Sequence, residues 1–446
     1  MQKKIPMNND KIVVGLDIGT TKVCAIVGKL NDLGSINILG FGTAESEGVR
    51  RGVIDNIDKT ITAIRKAVSD AEKHANVEIN VVNVGIAGEH IRSMQHKGII
   101  TLNDPNREIA QQDVDRLRED MYKIAVTPGN EILHVIPQDY TVDGNTGIKD
   151  PVGMFGVRLE GNFHIVTCQS AAANNIYRCV RRAGLEVEGL VLQPLASSYS
   201  VLTDEEMEEG VCLIDLGGGT TDVIIFEDRI IRHTAVIPFG GNIITDDIKV
   251  GCSVMRKQAE YLKTNFGVGL ASEVVDDEII TISGLRDRPN KEIRKRTLAS
   301  VIQARMEEII ELVTLEIRNA GYHDPRRLAG GIVVTGGGGM LRGIEHLVGY
   351  VTGIDARVGK PTEYLAKGMV AEVDPPMYAT CTGLVIYGLK NDIVEYQLSK
   401  KISQEVATKA PTGTDTEPVL RESNGFMRKV KAWFESSLNN VGNTIE

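Results

Sequence analysis

The pattern that most restricts the fold of this chain is one it contains twice. IVVGLDIGTTKVCAIVG, Ile12 to Gly28, is echoed by VCLIDLGGGTTDVIIFE, Val211 to Glu227. Each copy is an apolar, largely β-branched run that reaches an Asp, turns through Gly and Thr, and returns as a second apolar run. Near-continuous apolar strands are buried on both faces, and a turn of Gly and small residues lets two of them fold back as a tight hairpin. Two such hairpins, far apart in one chain, predict an α/β protein of two duplicated lobes.

The composition of the turns also restricts their chemistry. Gly and small hydroxyl residues let backbone N–H groups approach phosphate oxygens, while a carboxylate holds magnesium directly or through water. Asp17, Gly19, Thr20, Thr21 and Lys22 supply one half of such a grip, and Asp215, Gly217, Gly218, Gly219, Thr220, Thr221 and Asp222 supply the other. One turn alone is equally well explained as an ordinary hairpin; the pair points to a clamp for a nucleoside triphosphate with magnesium at Asp17 and Asp215. TGGGGM, Thr335 to Met340, adds a third glycine turn, where residues without Cβ let a flat ring or a phosphate lie on the backbone. Its candidate contacts are Gly336, Gly337, Gly338 and Met340. Gly240 and Gly241, in FGG ahead of a helix rich in Asp and Lys, either serve the same pocket or form a plain turn.

Between these landmarks the chain alternates helix and strand patterns. Apolar residues at helical spacing from Ile57 to His74, followed by the strand-like VVNVGIAG, complete the first lobe. From Gly85 to Phe163 the texture changes: IRSMQHKGIITL, a charged helix from Gln111 to Ile124, then ILHVIPQDYTVD and VRLEGNFHIVT, a small inserted α+β subdomain. The first lobe resumes with a helix from Ala171 to Ala183, stopped by Gly184, and VEGLVLQPLA as a strand. The second lobe holds an amphipathic helix from Lys291 to Asn319, then a strand feeding the third glycine turn, then a helix in PPMYATCTGLVIYGL. The boundaries are 10–84 and 164–210 for the first lobe, 85–163 for the insert, 211–240 and 325–398 for the second lobe, and 241–324 for its variable part.

Charge and cysteine usage exclude several classes. A net charge of −10 over 446 residues, with 4% aromatics, repels phosphate backbones and offers little to stack on bases, so nucleic acid is not an expected partner. The six cysteines are scattered without CxxC pairs or histidines at ligand spacing, as expected of reduced thiols in the cytosol. The N-terminus carries no secretion pattern, and no apolar run is long enough to span a bilayer, so any membrane contact is expected to be peripheral.

The tail supplies a candidate for that contact. Residues 399–424 are polar with scattered Pro and Gly, the composition of a flexible linker, and 425–439 follow as a separate amphipathic segment. On a helical wheel Phe426, Met427, Val430, Trp433, Phe434 and Leu438 fall within roughly 140°, with Arg428, Lys429 and Lys431 at or beyond the edges. A helix of that size is about 20 Å long, short of the ~30 Å bilayer core, so it suits the headgroup interface of an anionic membrane. The other reading is a helix that docks on its own body.

DIGTT, QPLAS, DLGGGTTD, TGGGGM and PPMYATCTGL occur in the order of the five nucleotide-site motifs of the actin, sugar-kinase and heat-shock ATPase superfamily, which the chain resembles. The short α+β insert, the linker and the terminal amphipathic segment resemble, within it, the FtsA family of bacterial cell-division proteins. That resemblance implies ATP and magnesium in the cleft, Gly336 to Gly338 near the adenosine, and Gln193 orienting a water. Asp215 would accept or relay the proton or be purely structural, so the resemblance implies at most a weak ATPase. It also implies self-polymerisation, tethering of the tubulin-like protein FtsZ through its C-terminal peptide to the inner face of the cell membrane at the septum, and contacts of the insert with other division proteins. In the family's terms the boundaries above are subdomains 1A, 1C, 2A and 2B. The alternatives are an actin-like pilus-assembly ATPase and, without a recognisable base or substrate pocket, a small-molecule kinase.

Overall fold

Each echoed hairpin becomes the centre of a five-stranded sheet. The computed structural model describes residues 11–31, 35–102, 104, 106–275, 278–284, 289–362, 365–366 and 370–390. The linker and amphipathic segment expected over 399–439 lie outside the described residues. In the first lobe, strands Ile12–Ile18 and Lys22–Leu30 pair antiparallel with Asp17 opposite Cys24. Strand Ile36–Glu45 adds antiparallel on one side, and strands Val81–Ile86 and Glu186–Leu192 add parallel on the other. In the second lobe, strands Val211–Leu216 and Thr221–Glu227 pair antiparallel with Asp215 opposite Asp222. Strand Ile230–Ile237 adds antiparallel on one side, and Ile332–Thr335 and Ala356–Val358 add parallel on the other. Order and direction are the same in both lobes, so the duplication holds in topology as well as in sequence.

Helices cover the sheets where the apolar spacing demands it. Ile57–Ala75 begins at Asn56, whose side chain accepts the Lys59 N–H at 3.0 Å, a cap worth about 1 kcal/mol. It buries Ile61, Ile64, Ala67, Val68 and Ala71 on the first sheet and stops at Asn76 in the left-handed conformation. Ser170–Ala183 ends likewise at left-handed Gly184. In the second lobe Lys295–Asn319 buries Leu298, Ile302, Met306, Ile309, Ile310, Val313 and Ile317. The expected helix from Lys291 starts late, because Lys291–Arg294 form a strand paired with Ile279–Ile282 that buries Ile293.

The insert is a four-stranded antiparallel sheet in the order Arg92–Thr101, Arg158–Gln169, Asn130–Val142, Asn145–Ile148, covered by helix Gln111–Met121. Strand Arg158–Gln169 runs past the sequence boundary at 163: Phe163 and Ile165 fill the insert's core, while Val166 and Cys168 join that of the first lobe.

QPLA is not part of a strand. Strand Glu186–Leu192 stops at Leu192, and a helix, Gln193–Val201, starts with Pro194 in its first turn. Proline suits that place because the first helical N–H groups have no intrahelical partner. This helix buries Leu195, Ala196, Ser197 and Ser198 between the two central sheets. The helical segment 379–390, counted with the second lobe by sequence position, packs Cys381, Val385, Ile386 and Leu389 against Val13, Cys24, Ile26, Ile36 and Ile38. It covers the face of the first sheet left bare by Ile57–Ala75.

Candidate functional site

The two Asp-headed turns close with the same bond. The Gly19 N–H donates to the Lys22 carbonyl at 3.0 Å, and the Gly217 N–H to the Thr220 carbonyl at 3.0 Å. They meet face to face across the cleft between the sheets. A Cβ on Gly218 would lie 2.4 Å from Cγ2 of Thr21, and one on Gly219 would lie 2.7 Å from Oγ1 of Thr20. Only a residue without a side chain lets the turns approach this closely, the reason for glycine in the second copy where the first has threonine.

The cleft is lined by Asp17, Gly19, Thr20, Thr21 and Lys22 from the first turn and Asp215, Gly217, Gly218, Gly219, Thr220 and Asp222 from the second. Gln193, Gly336 and Gly337 complete the part foreseen from sequence, and Ile18, Gly52, Met377 and Thr380 also line it. Thr221, Gly240, Gly241, Gly338 and Met340 do not. The Thr221 hydroxyl points away and donates to the Phe239 carbonyl at 2.8 Å. Gly241 and Asn242 donate their N–H groups to the carbonyls of Gly217 and Gly218 at 2.9 and 2.8 Å, bracing the turn from behind. Gly338 is pressed against the Leu216 side chain, and Met340 is exposed.

Three carboxylates are buried here. Oδ1 of Asp17 accepts the Gln193 amide at 2.9 Å. Oδ2 of Asp215 accepts the hydroxyls of Ser197 at 2.6 Å and Thr380 at 3.1 Å. Oδ2 of Asp222 accepts the Thr220 hydroxyl at 3.1 Å, while its Oδ1 is buried without a partner. Burial pushes Asp17 up to about 7, opposed by the charge of Lys22 and assisted by Asp215. It pushes Asp222 up to about 8, with the charges of Asp215 and Asp17 adding and the Thr220 bond opposing. Asp215 is also raised by burial, against the bonds from Ser197 and Thr380 and the charge of Lys22. Lys22, the one cation among the described lining residues, donates to the Met377 carbonyl, lies 3.7 Å over the Tyr378 ring, and is held low by burial. Such a cluster is short of positive charge, and the unpartnered Asp222 oxygen marks where a cation or a proton is wanted.

Sequence reasoning missed Ser197, Gly52 and Thr380. Ser197 follows Gln193 by four residues and so shares its helix face, a signal that appears only once QPLAS is read as a helix. Gly52, in the turn between strands Val49–Arg50 and Val53–Ile54, donates its N–H to Oγ1 of Thr20 at 3.1 Å. Thr380 reaches the site only because the segment 379–390 returns to the first lobe.

Comparison with known proteins places this geometry. The family model described as "Cell division protein FtsA" matches residues 212–383, and that described as "SHS2 domain inserted in FTSA" matches residues 88–167, the inserted sheet. A Pseudomonas aeruginosa protein described as "Cell division protein FtsA" is 41% identical over 384 residues, covering 86% of this chain and 91% of its own length. Among solved structures, the type IV pilus biogenesis complex PilM–PilN aligns with a TM-score of 0.61 at 14% identity, over 84% of this chain and 98% of the other. MreB5 of Spiroplasma citri bound to ADP aligns with a TM-score of 0.51 at 16% identity, over 89% and 99%. At these identities the structural likeness, including that to the pilus protein, establishes the fold alone: the duplicated two-lobed fold of the actin-like ATPases. Sequence identity over most of both chains establishes more: this chain belongs to the FtsA family of cell-division proteins.

Proposed function

We propose that the cleft binds ATP with magnesium, and that this cell-division protein uses the bound nucleotide as a switch for its own assembly while tethering FtsZ to the cell membrane. The observation that carries the nucleotide reading is the meeting of the Thr20–Thr21 turn with the Gly218–Gly219 turn around three buried, proton-hungry carboxylates. The donor set fits the group. Asp17 and Asp215 would hold magnesium, partly through water. The metal would neutralise phosphate charge. The glycine turns would present N–H groups to the phosphates, Lys22 would add a positive charge, and Gly336 and Gly337 would leave space for the nucleoside. The MreB5 protein of the same fold was solved with ADP.

Gln193 bonded to Asp17 supports a role in positioning a water rather than in removing its proton, because an amide is not a base. Any turnover is therefore expected to be slow. The tether reading rests on family membership and on the sequence of 425–439. The insert is the proposed contact for other division proteins, and the 241–324 segment the proposed contact for the FtsZ C-terminal peptide. Calorimetry tests the nucleotide site: magnesium-dependent ATP binding by the full chain should be lost or strongly weakened in Asp215→Ala, and unchanged affinity would mean that the turn is only structural. Recruitment of FtsZ to anionic liposomes only when this protein is present tests the tether.

A further inference from the structure

The inserted sheet is bonded to the residue that begins the Gln193 helix. Nε2 of His134, on the insert strand Asn130–Val142, accepts the backbone N–H of Leu192 at 3.0 Å. Leu192 is the last residue of its strand and the N-cap of helix Gln193–Val201, and it has no capping side chain of its own. The next residue, Gln193, donates its amide to Asp17 at 2.9 Å. The path from insert to cleft is thus one side-chain bond, one peptide unit and one further side-chain bond.

Two features suit His134 to this place. An imidazole nitrogen accepts an N–H only when it carries no proton, and desolvation holds the ring neutral, with its pKa pushed down to about 4. The same strand is also held to the second lobe. The ladder skips Gln138, with Asn162 opposite Asp139 and Phe163 opposite Pro137, and the Gln138 amide donates to the Ile231 carbonyl at 2.7 Å. A bulge of this kind turns a side chain out of the ladder. One insert strand therefore touches the first lobe at Leu192 and the second at Ile231.

We propose that His134 is a positioning residue for the nucleotide cleft: by fixing Leu192 it sets the Gln193 amide against Asp17, and it makes nucleotide affinity responsive to the placement of the insert. The proposal rests on the nucleotide reading above. By linkage, whatever moves the insert changes nucleotide affinity, and nucleotide changes the insert's affinity for its partners by the same factor.

The test compares ATP with magnesium on the full chain for wild type, His134→Ala, His134→Gln, His134→Asn, Gln193→Ala and the double variant His134→Ala/Gln193→Ala. Loss of one such bond is expected to weaken binding roughly three- to tenfold in His134→Ala. His134→Gln, whose amide oxygen reaches about as far as Nε2, should restore it, whereas the shorter Asn should not. The double variant should bind no more weakly than Gln193→Ala. Amide exchange at Leu192 in the nucleotide-free protein should quicken in His134→Asn and stay slow in His134→Gln, an arm that still decides should the Ala variant not fold. Wild-type affinity in His134→Ala, effects that multiply in the double variant, or no difference between Gln and Asn would overturn the proposal. Absence of magnesium-dependent ATP binding in the wild type would instead sink the nucleotide reading, and this inference with it.

Discussion

The hydroxyl of Ser197 donates to Oδ2 of Asp215 at 2.6 Å, and both groups are buried. Because Ser197 lies on the helix that begins at Gln193, one helix supports the head carboxylates of both turns: Gln193 at Asp17, Ser197 at Asp215. Ser197→Ala leaves Asp215 with Thr380 and removes a bond that favours its charged form. We expect a stability loss of about 1–2 kcal/mol and roughly tenfold weaker magnesium-dependent ATP binding, read by thermal melting and calorimetry.

Protonation of the cleft should be visible in the nucleotide-free protein. Asp17 and Asp222 sit at about 7 and about 8 in the fold, against 3.8 for the free side chain. Between those limits the folded state holds protons that the unfolded chain has released, so stability is full on the acid side and drains away as pH rises through the folded values. The melting temperature in chelator is expected to fall from pH 5 to pH 8.5, and to fall less in Asp222→Asn, whose amide oxygen still accepts from Thr220. Magnesium-nucleotide affinity should rise over the same interval, since the ion competes with those protons. A melting temperature that climbs with pH would contradict the assignment.

Gly336 and Gly337 are neighbours in one turn with opposite tolerances. Gly336 has φ of +78°, and a Cβ there would lie 2.4 Å from Oδ1 of Asp215 and 2.8 Å from the Leu216 carbonyl; a Cβ on Gly337 meets nothing within 4 Å. Gly336→Ala is expected to cost about 1–3 kcal/mol in backbone strain alone and to abolish tight ATP binding. Gly337→Ala should melt like the wild type. Equal behaviour of the two in a melting and binding comparison would show that the close approach at residue 336 is not needed.

The tail prediction comes from sequence. Full-length protein should float with anionic liposomes, while a chain ending at Glu422, or one carrying Trp433→Glu and Phe434→Glu, should remain in solution. Equal flotation of all three would remove residues 425–439 as the anchor.

The sequence by itself determined the duplication, the two Asp-headed turns and the α+β insert. These are written in local patterns: β-branched runs, Gly–Thr turns, and helical spacing such as that of Ile61, Ile64 and Val68. It also carried the resemblance that identity over most of the chain later established as family membership. What it could not give was the set of residues from other elements that line the cleft or brace its carboxylates. Ser197 was hidden by reading QPLA as strand, Gly52 comes from a segment with no phosphate-binding look, Thr380 sits in a motif that does not say which of its side chains reaches Asp215, and the bond from His134 to Leu192 joins residues far apart in the chain. The tertiary structure alone also decided that Thr221, Gly240, Gly241, Gly338 and Met340 stand behind or outside the cleft. The physical reason is that a turn's sequence fixes its backbone shape, whereas which of its atoms face a ligand depends on where the packed sheets and helices place that turn.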